Sequence, residues 1–135
     1  MLRLAALLCF LPMIALADPR PIDMTTPLVD EVGKPMKDPF EASKDDPDCT
    51  KCAVLTLGHA VAHALFFPEK GETLSGDQKW ARGVLAQRVR DAKDAELTSE
   101  EITVIKAALA KVFGGIVLVQ AYPLLDPNAK PPKVQ

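Results

Sequence analysis

Two cysteines and two histidines form the most specific chemical pattern in the chain. They lie within "DCTKCAVLTLGHAVAH" as Cys49, Cys52, His59 and His63. A tetrahedral zinc site needs four ligands of these types. Histidines four residues apart also share one face of a helix and can bind the same ion. The sequence therefore predicts a candidate Cys2His2 metal site, with zinc as the candidate cofactor.

The spacing leaves two other interpretations of the cysteines open. Six residues separate Cys52 from His59, fewer than in familiar zinc-finger patterns. A shared metal would require a helix that begins near Thr56, with both cysteines on a loop folded over its first turn. In an oxidising compartment the same pair can form a structural disulfide or a redox-active one. Disulfide, metal site and redox pair all remain as hypotheses at this point.

The first residues, "MLRLAALLCFLPMIALADP", have the organisation of an export signal. Arg3 supplies the positive charge, residues 4–16 form an apolar run, and "ALA" at residues 15–17 offers a cleavage site. We therefore expect residues 1–17 to be a signal peptide and the protein to be exported, either periplasmic or extracellular. The alternative is a wrongly assigned start, which would make the protein cytoplasmic or virion-associated.

Composition excludes several classes of function. The net charge of the 135-residue chain is −2, which argues against general nucleic-acid binding. No second apolar stretch is long enough to cross a bilayer, so no stable membrane span is expected after signal cleavage. The sequence contains neither a glycine-rich phosphate loop nor a nucleophile elbow. We accordingly expect a protein that is not an enzyme.

Residues 18–55 differ in character from the rest of the chain. Half of the twelve prolines fall within residues 18–48, and prolines at this density prevent a helix. Within this segment "PLVDEVGKPMKD" is typical of two short extended stretches around a turn at Gly33, a short β-hairpin. The sequence predicts a proline-rich, acidic arm over residues 18–55 that carries the C-x-x-C pair. The part of residues 18–48 outside the hairpin is expected to be weakly ordered unless a partner binds it.

Residues 56–126 have the apolar periodicity of helices. Thr56 can cap the first helix, and "SGDQ" and "TSEE" are capping boxes that begin two more. "IVLVQAYPLLD" is then expected to form a short buried helix, followed by a disordered tail over residues 127–135. The predicted fold is mainly α, a compact bundle of three to four helices preceded by an extended arm.

One helix carries candidate partner-binding residues. Trp80 is a potential anchor for another protein, although packing in the core is the more common use of such a residue. Arg82 and Arg90 lie on the face opposite the predicted core. Arg88 projects into the apolar arc, so it must snorkel, pair with an acid or lie at an interface. These four residues form the predicted partner surface.

The ordered motifs resemble a family of small proteins of tailed bacteriophages and prophages. The resemblance covers about residues 22–126 and consists mostly of capping and core patterns: "PLVDEVGKPMKD", "LTLGHAVAHAL", "LSGDQKWARGVLAQRV", "ELTSEEITVIKAALAKVFG" and "IVLVQAYPLLD". It implies a non-enzymatic assembly factor or minor virion component. It supplies no catalytic residues, and the export signal departs from its usual pattern.

Two functional hypotheses follow from these observations. The first is an exported helical interaction module of phage or prophage origin, whose partner is a phage structural or assembly protein or an envelope protein. The second is an exported, periplasmic metal-binding protein that uses Cys49, Cys52, His59 and His63.

Overall fold

Four helices and a two-stranded sheet form the regular structure of residues 20–134, the part of the chain that this computed structural model describes. The elements follow one another as β1 (Pro21–Ile22), a 3-10 helix (Pro39–Glu41), α1 (Leu57–Phe66), α2 (Gly76–Val89), β2 (Ala95–Glu96), α3 (Ser99–Val112) and α4 (Gly115–Leu125). The predicted mainly helical bundle is confirmed. The predicted signal peptide lies outside the described residues.

Each predicted cap begins a helix. The hydroxyl of Thr56 accepts a hydrogen bond from the backbone N–H of His59 at the start of α1. Ser75 with Gln78, and Thr98 with Glu101, form complete capping boxes at the starts of α2 and α3. Each cap satisfies backbone donors that the first helical turn leaves free, so local sequence fixes where these helices begin.

Helix α1 is the centre of the core. Seven of its ten residues are buried. It packs against both α2 and α3, while α4 packs against α3. The other helices contribute apolar stripes at helical spacing: Leu85, Ala86 and Val89 from α2, Ile105, Ala108 and Leu109 from α3, and Val117, Ala121 and Leu125 from α4.

The proline-rich arm belongs to this core, so the prediction of weak order was wrong for residues 20–48. Met24, Leu28 and Leu55 are fully buried among the helical side chains. The backbone N–H of Leu28 donates to Leu55, and that of Leu57 donates to Thr26. Burial of large apolar side chains and these backbone hydrogen bonds hold the arm against α1.

The predicted hairpin is present in a minimal form. A single antiparallel bridge joins Val29 and Pro35 around a turn in which Gly33 has a φ of +82°. Gly33 suits this turn because it adopts left-handed backbone angles without steric cost. The side-chain amide of Gln120 on α4 accepts from the N–H of Val29 and donates to its carbonyl, both at 2.8 Å. These two bonds fix the hairpin to α4.

The chain crosses itself closely where the arm passes α1. Strand β1 pairs antiparallel with β2, which links α2 to α3. Met24 then donates to Ala92 at 2.9 Å and accepts from the N–H of Gly58 at 2.7 Å. A Cβ atom on Gly58 would lie 2.1 Å from the carbonyl oxygen of Arg90. Gly58 therefore permits the end of α2 to pass directly over the first turn of α1.

No regular structure follows α4 within residues 126–134. None of the helices in residues 20–134 has the length and apolar character needed to cross a bilayer.

Candidate functional site

The C-x-x-C segment is a closed loop in front of α1. Cys49 and Cys52 are joined by a disulfide. The carboxylate of Asp46 accepts hydrogen bonds from the N–H groups of Thr50 and Lys51. The backbone hydrogen bond from Lys51, followed in size by the one from Thr50, holds the pKa of Asp46 below its usual value. The loop is thus shaped by its own hydrogen bonds as well as by the disulfide.

Further contacts tie this loop to the arm. Lys37 Nζ donates to the carbonyl of Cys52 at 3.1 Å, and the Glu41 carboxylate accepts from the N–H of Ala53 at 2.7 Å. Asp38 is buried, and its N–H donates to Ala53. Since both cysteines are also buried, the disulfide is a structural bond that closes a local turn of the arm shortly before α1.

The structure contains the disulfide and not the Cys2His2 arrangement. Both sulfur atoms are bonded to each other, so neither is a thiolate that could bind zinc. Across residues 20–134, no group of three or more potential ligands is placed to hold an ion. His59 and His63 instead interact with different neighbours, and each has its own structural role.

His59 lies between two carboxylates at the edge of the arm. Its Nε2 is 3.1 Å from Oδ1 of Asp91, and its Nδ1 is 3.6 Å from Oδ2 of Asp38. Asp91 lies two residues beyond the end of α2, and Asp38 immediately precedes the 3-10 helix. His59 therefore joins three segments that are distant in sequence: the arm, α1 and the end of α2.

His63 lies among aromatic rings one turn further along α1. It stacks on Phe40 with ring centroids 3.1 Å apart, and the Phe67 ring is 4.8 Å away. Burial lowers the pKa of His63 below its usual 6.5, although the Asp38 carboxylate opposes this shift. The neutral imidazole is thus the form that this packing stabilises.

The two histidines line a small cleft between the arm and the ends of α1 and α2. Its volume is about 170 Å³, and Asp38, Phe40, Glu41, Phe67 and Arg90 are among its other lining residues. Arg90 was predicted to belong to the partner surface on α2. It lies at this cleft instead, with Nε 3.9 Å from Asp91.

We expect replacement of both cysteines by serine to lower the free energy of unfolding by about 2 kcal/mol. The effect is modest because the disulfide closes a loop with a sequence separation of only 3. A chelator should leave the melting temperature of the wild-type protein unchanged, whereas a reductant should lower it. Stabilisation by zinc together with free thiols, measured by calorimetry and thiol titration, would contradict the structural disulfide.

We expect acid to weaken the fold through His63. The pKa of His63 is lower in the folded than in the unfolded chain, so the unfolded chain binds a proton more readily. The free energy of unfolding is therefore highest above about pH 6.5 and falls as the pH drops through that value. Unfolding midpoints at about pH 7.5 and 5.5 should differ more for wild type than for His63→Gln. An NMR titration that places the pKa of His63 at or above 6.5 would refute this.

The predicted partner surface on α2 is only partly assembled. Trp80 is 74 % exposed and Val84, one turn later, is 49 % exposed, so neither packs in the core. Arg88 pairs with Glu101 on α3, which is one of the three alternatives that the sequence left open for it. Arg82 and Arg88 lie on the side of α2 that faces α3. Trp80 lies on the outward side of α2, and Arg90 lies at the histidine cleft.

A groove of about 320 Å³ separates α2 from α3. It exists because both helices pack on α1 rather than closely on each other. Its walls are mainly apolar, with polar groups at the edges: Leu74, Gln78, Ala81, Arg82, Leu85, Glu100, Glu101 and Val104. Sequence reasoning missed Leu74 and Val104, although the helical spacing of Val104 from Glu100 and Glu101 could have placed it beside α2.

Arg82 is the most constrained charge in this groove. Its Nη2 donates to Glu72 at 3.0 Å, and Lys111 donates to the same carboxylate oxygen at 2.7 Å. The bond from Lys111, reinforced by Arg82, lowers the pKa of Glu72. The other terminal nitrogen, Nη1, is buried and has no hydrogen-bond partner among the described residues. An unsatisfied buried donor of this kind is rare and costly.

No match was found when the chain was compared with protein-family models, curated proteins and solved structures. Function must therefore be inferred from the geometry of the chain's own residues.

Proposed function

We propose that this protein is a non-enzymatic, exported interaction module of phage or prophage type, and that it binds another protein through the outward face of α2. The observation that carries the proposal is the exposure of Trp80, 74 % accessible on a regular helix. Tryptophan is among the residues that most often dominate binding energy at protein interfaces. Val84 extends the same apolar surface by one helical turn.

The disulfide supports the export part of the proposal. Disulfides form and persist mainly in oxidising compartments such as the periplasm or the cell exterior. The N-terminal pattern of a charged residue, an apolar run and "ALA" is what an exported chain would carry. An envelope protein or a phage structural or assembly protein is therefore the class of partner to seek.

The test compares wild type with Trp80→Gln in cross-linking and affinity capture from cells able to export the protein. Glutamine is a good helix former, so this change should leave the fold intact. Val32→Gln is the matched control, because Val32 is 71 % exposed but lies in the hairpin turn. We expect one partner that Trp80→Gln loses and Val32→Gln retains. Equal capture by all three proteins would refute the proposal.

A further inference from the structure

The charges at the two ends of the α2–α3 groove are opposite. At one end Arg82 and Lys111 share the single carboxylate of Glu72, which leaves one positive charge in excess. At the other end Arg88 neutralises Glu101, which leaves Glu100 as the excess negative charge. The apolar side chains of Ala81, Leu85 and Val104 lie between these ends. The groove is therefore positive at one end and negative at the other, so the charges of a bound segment would determine its direction in the groove.

The orphaned nitrogen of Arg82 lies at the positive end. Arg82 lines the groove, and 16 % of its side chain is exposed. Glu72 binds Nη2 and leaves Nη1 as the guanidinium nitrogen without a partner. A carboxylate of a bound segment that reaches Nη1 would satisfy this donor through a charge-assisted hydrogen bond and would balance the excess positive charge.

We propose that this groove binds a segment of a partner protein that carries a bulky apolar side chain beside an acidic one. The apolar side chain occupies the space between Leu85 and Val104, and the carboxylate binds Arg82. Trp80 and Val84 immediately precede the groove-lining residues Ala81 and Leu85 on α2, so they lie on the adjoining outward surface, about 100° round the helix from these two residues. This inference rests on the proposed function and defines the chemistry of the partner.

The probe is a displayed random-peptide library selected on the full chain, with binding of each enriched peptide then measured by calorimetry. Enriched peptides should carry Asp or Glu next to Leu, Ile, Met or Phe. Replacement of that acid by its amide should weaken binding at least about tenfold, the effect expected for a charge-assisted hydrogen bond. Enrichment of peptides without an acid, or no enrichment at all, would overturn the inference.

Two substitutions at Val104 separate charge from steric blocking. Val104 is 37 % exposed, so both Val104→Glu and Val104→Lys should fold. Both remove apolar surface, but only glutamate repels an acidic ligand. We therefore expect Val104→Glu to weaken binding at least about tenfold more than Val104→Lys. Equal losses would overturn the proposed carboxylate contact.

Arg82→Lys adds a second check. Lysine retains the positive charge but lacks the planar guanidinium with its second terminal nitrogen, so this variant should lose most of the preference for acid over amide.

The inference and the proposed function can fail independently. If Trp80→Gln loses the natural partner while both Val104 variants keep it, the interaction function stands and the groove is not its binding site. If acidic peptides bind the groove but no natural partner depends on Trp80, the groove chemistry stands and the proposed function falls.

Discussion

Replacement of Gly58 by alanine is expected to lower the free energy of unfolding by about 3 kcal/mol or more. The added Cβ would lie 2.1 Å from the carbonyl oxygen and 2.8 Å from the carbonyl carbon of Arg90, and 3.0 Å from the carbonyl oxygen of Met24. All three are backbone atoms, so no side-chain rotation can relieve the clash. The hydrogen bond from Gly58 to Met24 would also lengthen as the segments separate.

Gly83→Ala is the matched control for Gly58→Ala. Gly83 lies inside α2, and the nearest atom to an added Cβ would be Cε1 of Phe66 at 3.9 Å, an ordinary contact. Alanine in a helix interior is favoured over glycine by roughly 0.5–1 kcal/mol, so this variant should be slightly stabilised. Urea unfolding of both variants measures the contrast. A Gly58→Ala protein as stable as wild type would show that α2 does not cross α1 at this point.

Local sequence was sufficient to predict the helices. Thr56, Ser75 and Thr98 each satisfy a backbone donor a few residues away, so their caps are visible without any knowledge of the tertiary structure. Regular apolar spacing identified the buried face of α3 in the same way. These features involve contacts within a single turn or a single helix face.

The packing of the arm could not be predicted in this way. Met24 has no apolar neighbour on either side and Leu28 has only Val29, so neither belongs to an apolar pattern long enough to establish a periodicity. Their burial depends on hydrogen bonds to Leu55, Gly58 and Ala92, which are distant in sequence. Pairing of β1 with β2 is a long-range contact of the same kind, and each strand has only two residues.

In the candidate sites, too, local features could be predicted from the sequence and contacts between distant segments could not. The spacing of the four cysteine and histidine residues permitted a metal site, but spacing cannot decide whether two nearby thiols bond to each other. The place of Arg88 in an apolar arc limited it to three alternatives, and pairing with an acid is the one that the structure contains. Exposure of Trp80 did not, because it depends on how far α1 and α3 cover the surface of α2.

Leu28→Ala is expected to lower the free energy of unfolding by about 2–5 kcal/mol, as truncation of a core leucine does. Leu28 is fully buried although it belongs to the proline-rich arm. Leu109→Ala is the reference within the helical bundle, since Leu109 on α3 is equally buried. Chemical unfolding should give similar losses for the two variants, with one cooperative transition in each.

Val32→Ala is the control within the arm and should change stability by no more than about 0.5 kcal/mol, because Val32 is exposed. A loss for Leu28→Ala as small as this would mean that the arm detaches from the helices at little cost. A large loss would instead make the arm part of the folding unit.

Deletion of residues 20–48 would then uncover α1 and unfold the bundle, because Met24 and Leu28 would be lost together. Partner binding must accordingly be tested with surface substitutions such as Trp80→Gln, which leave that shared core intact.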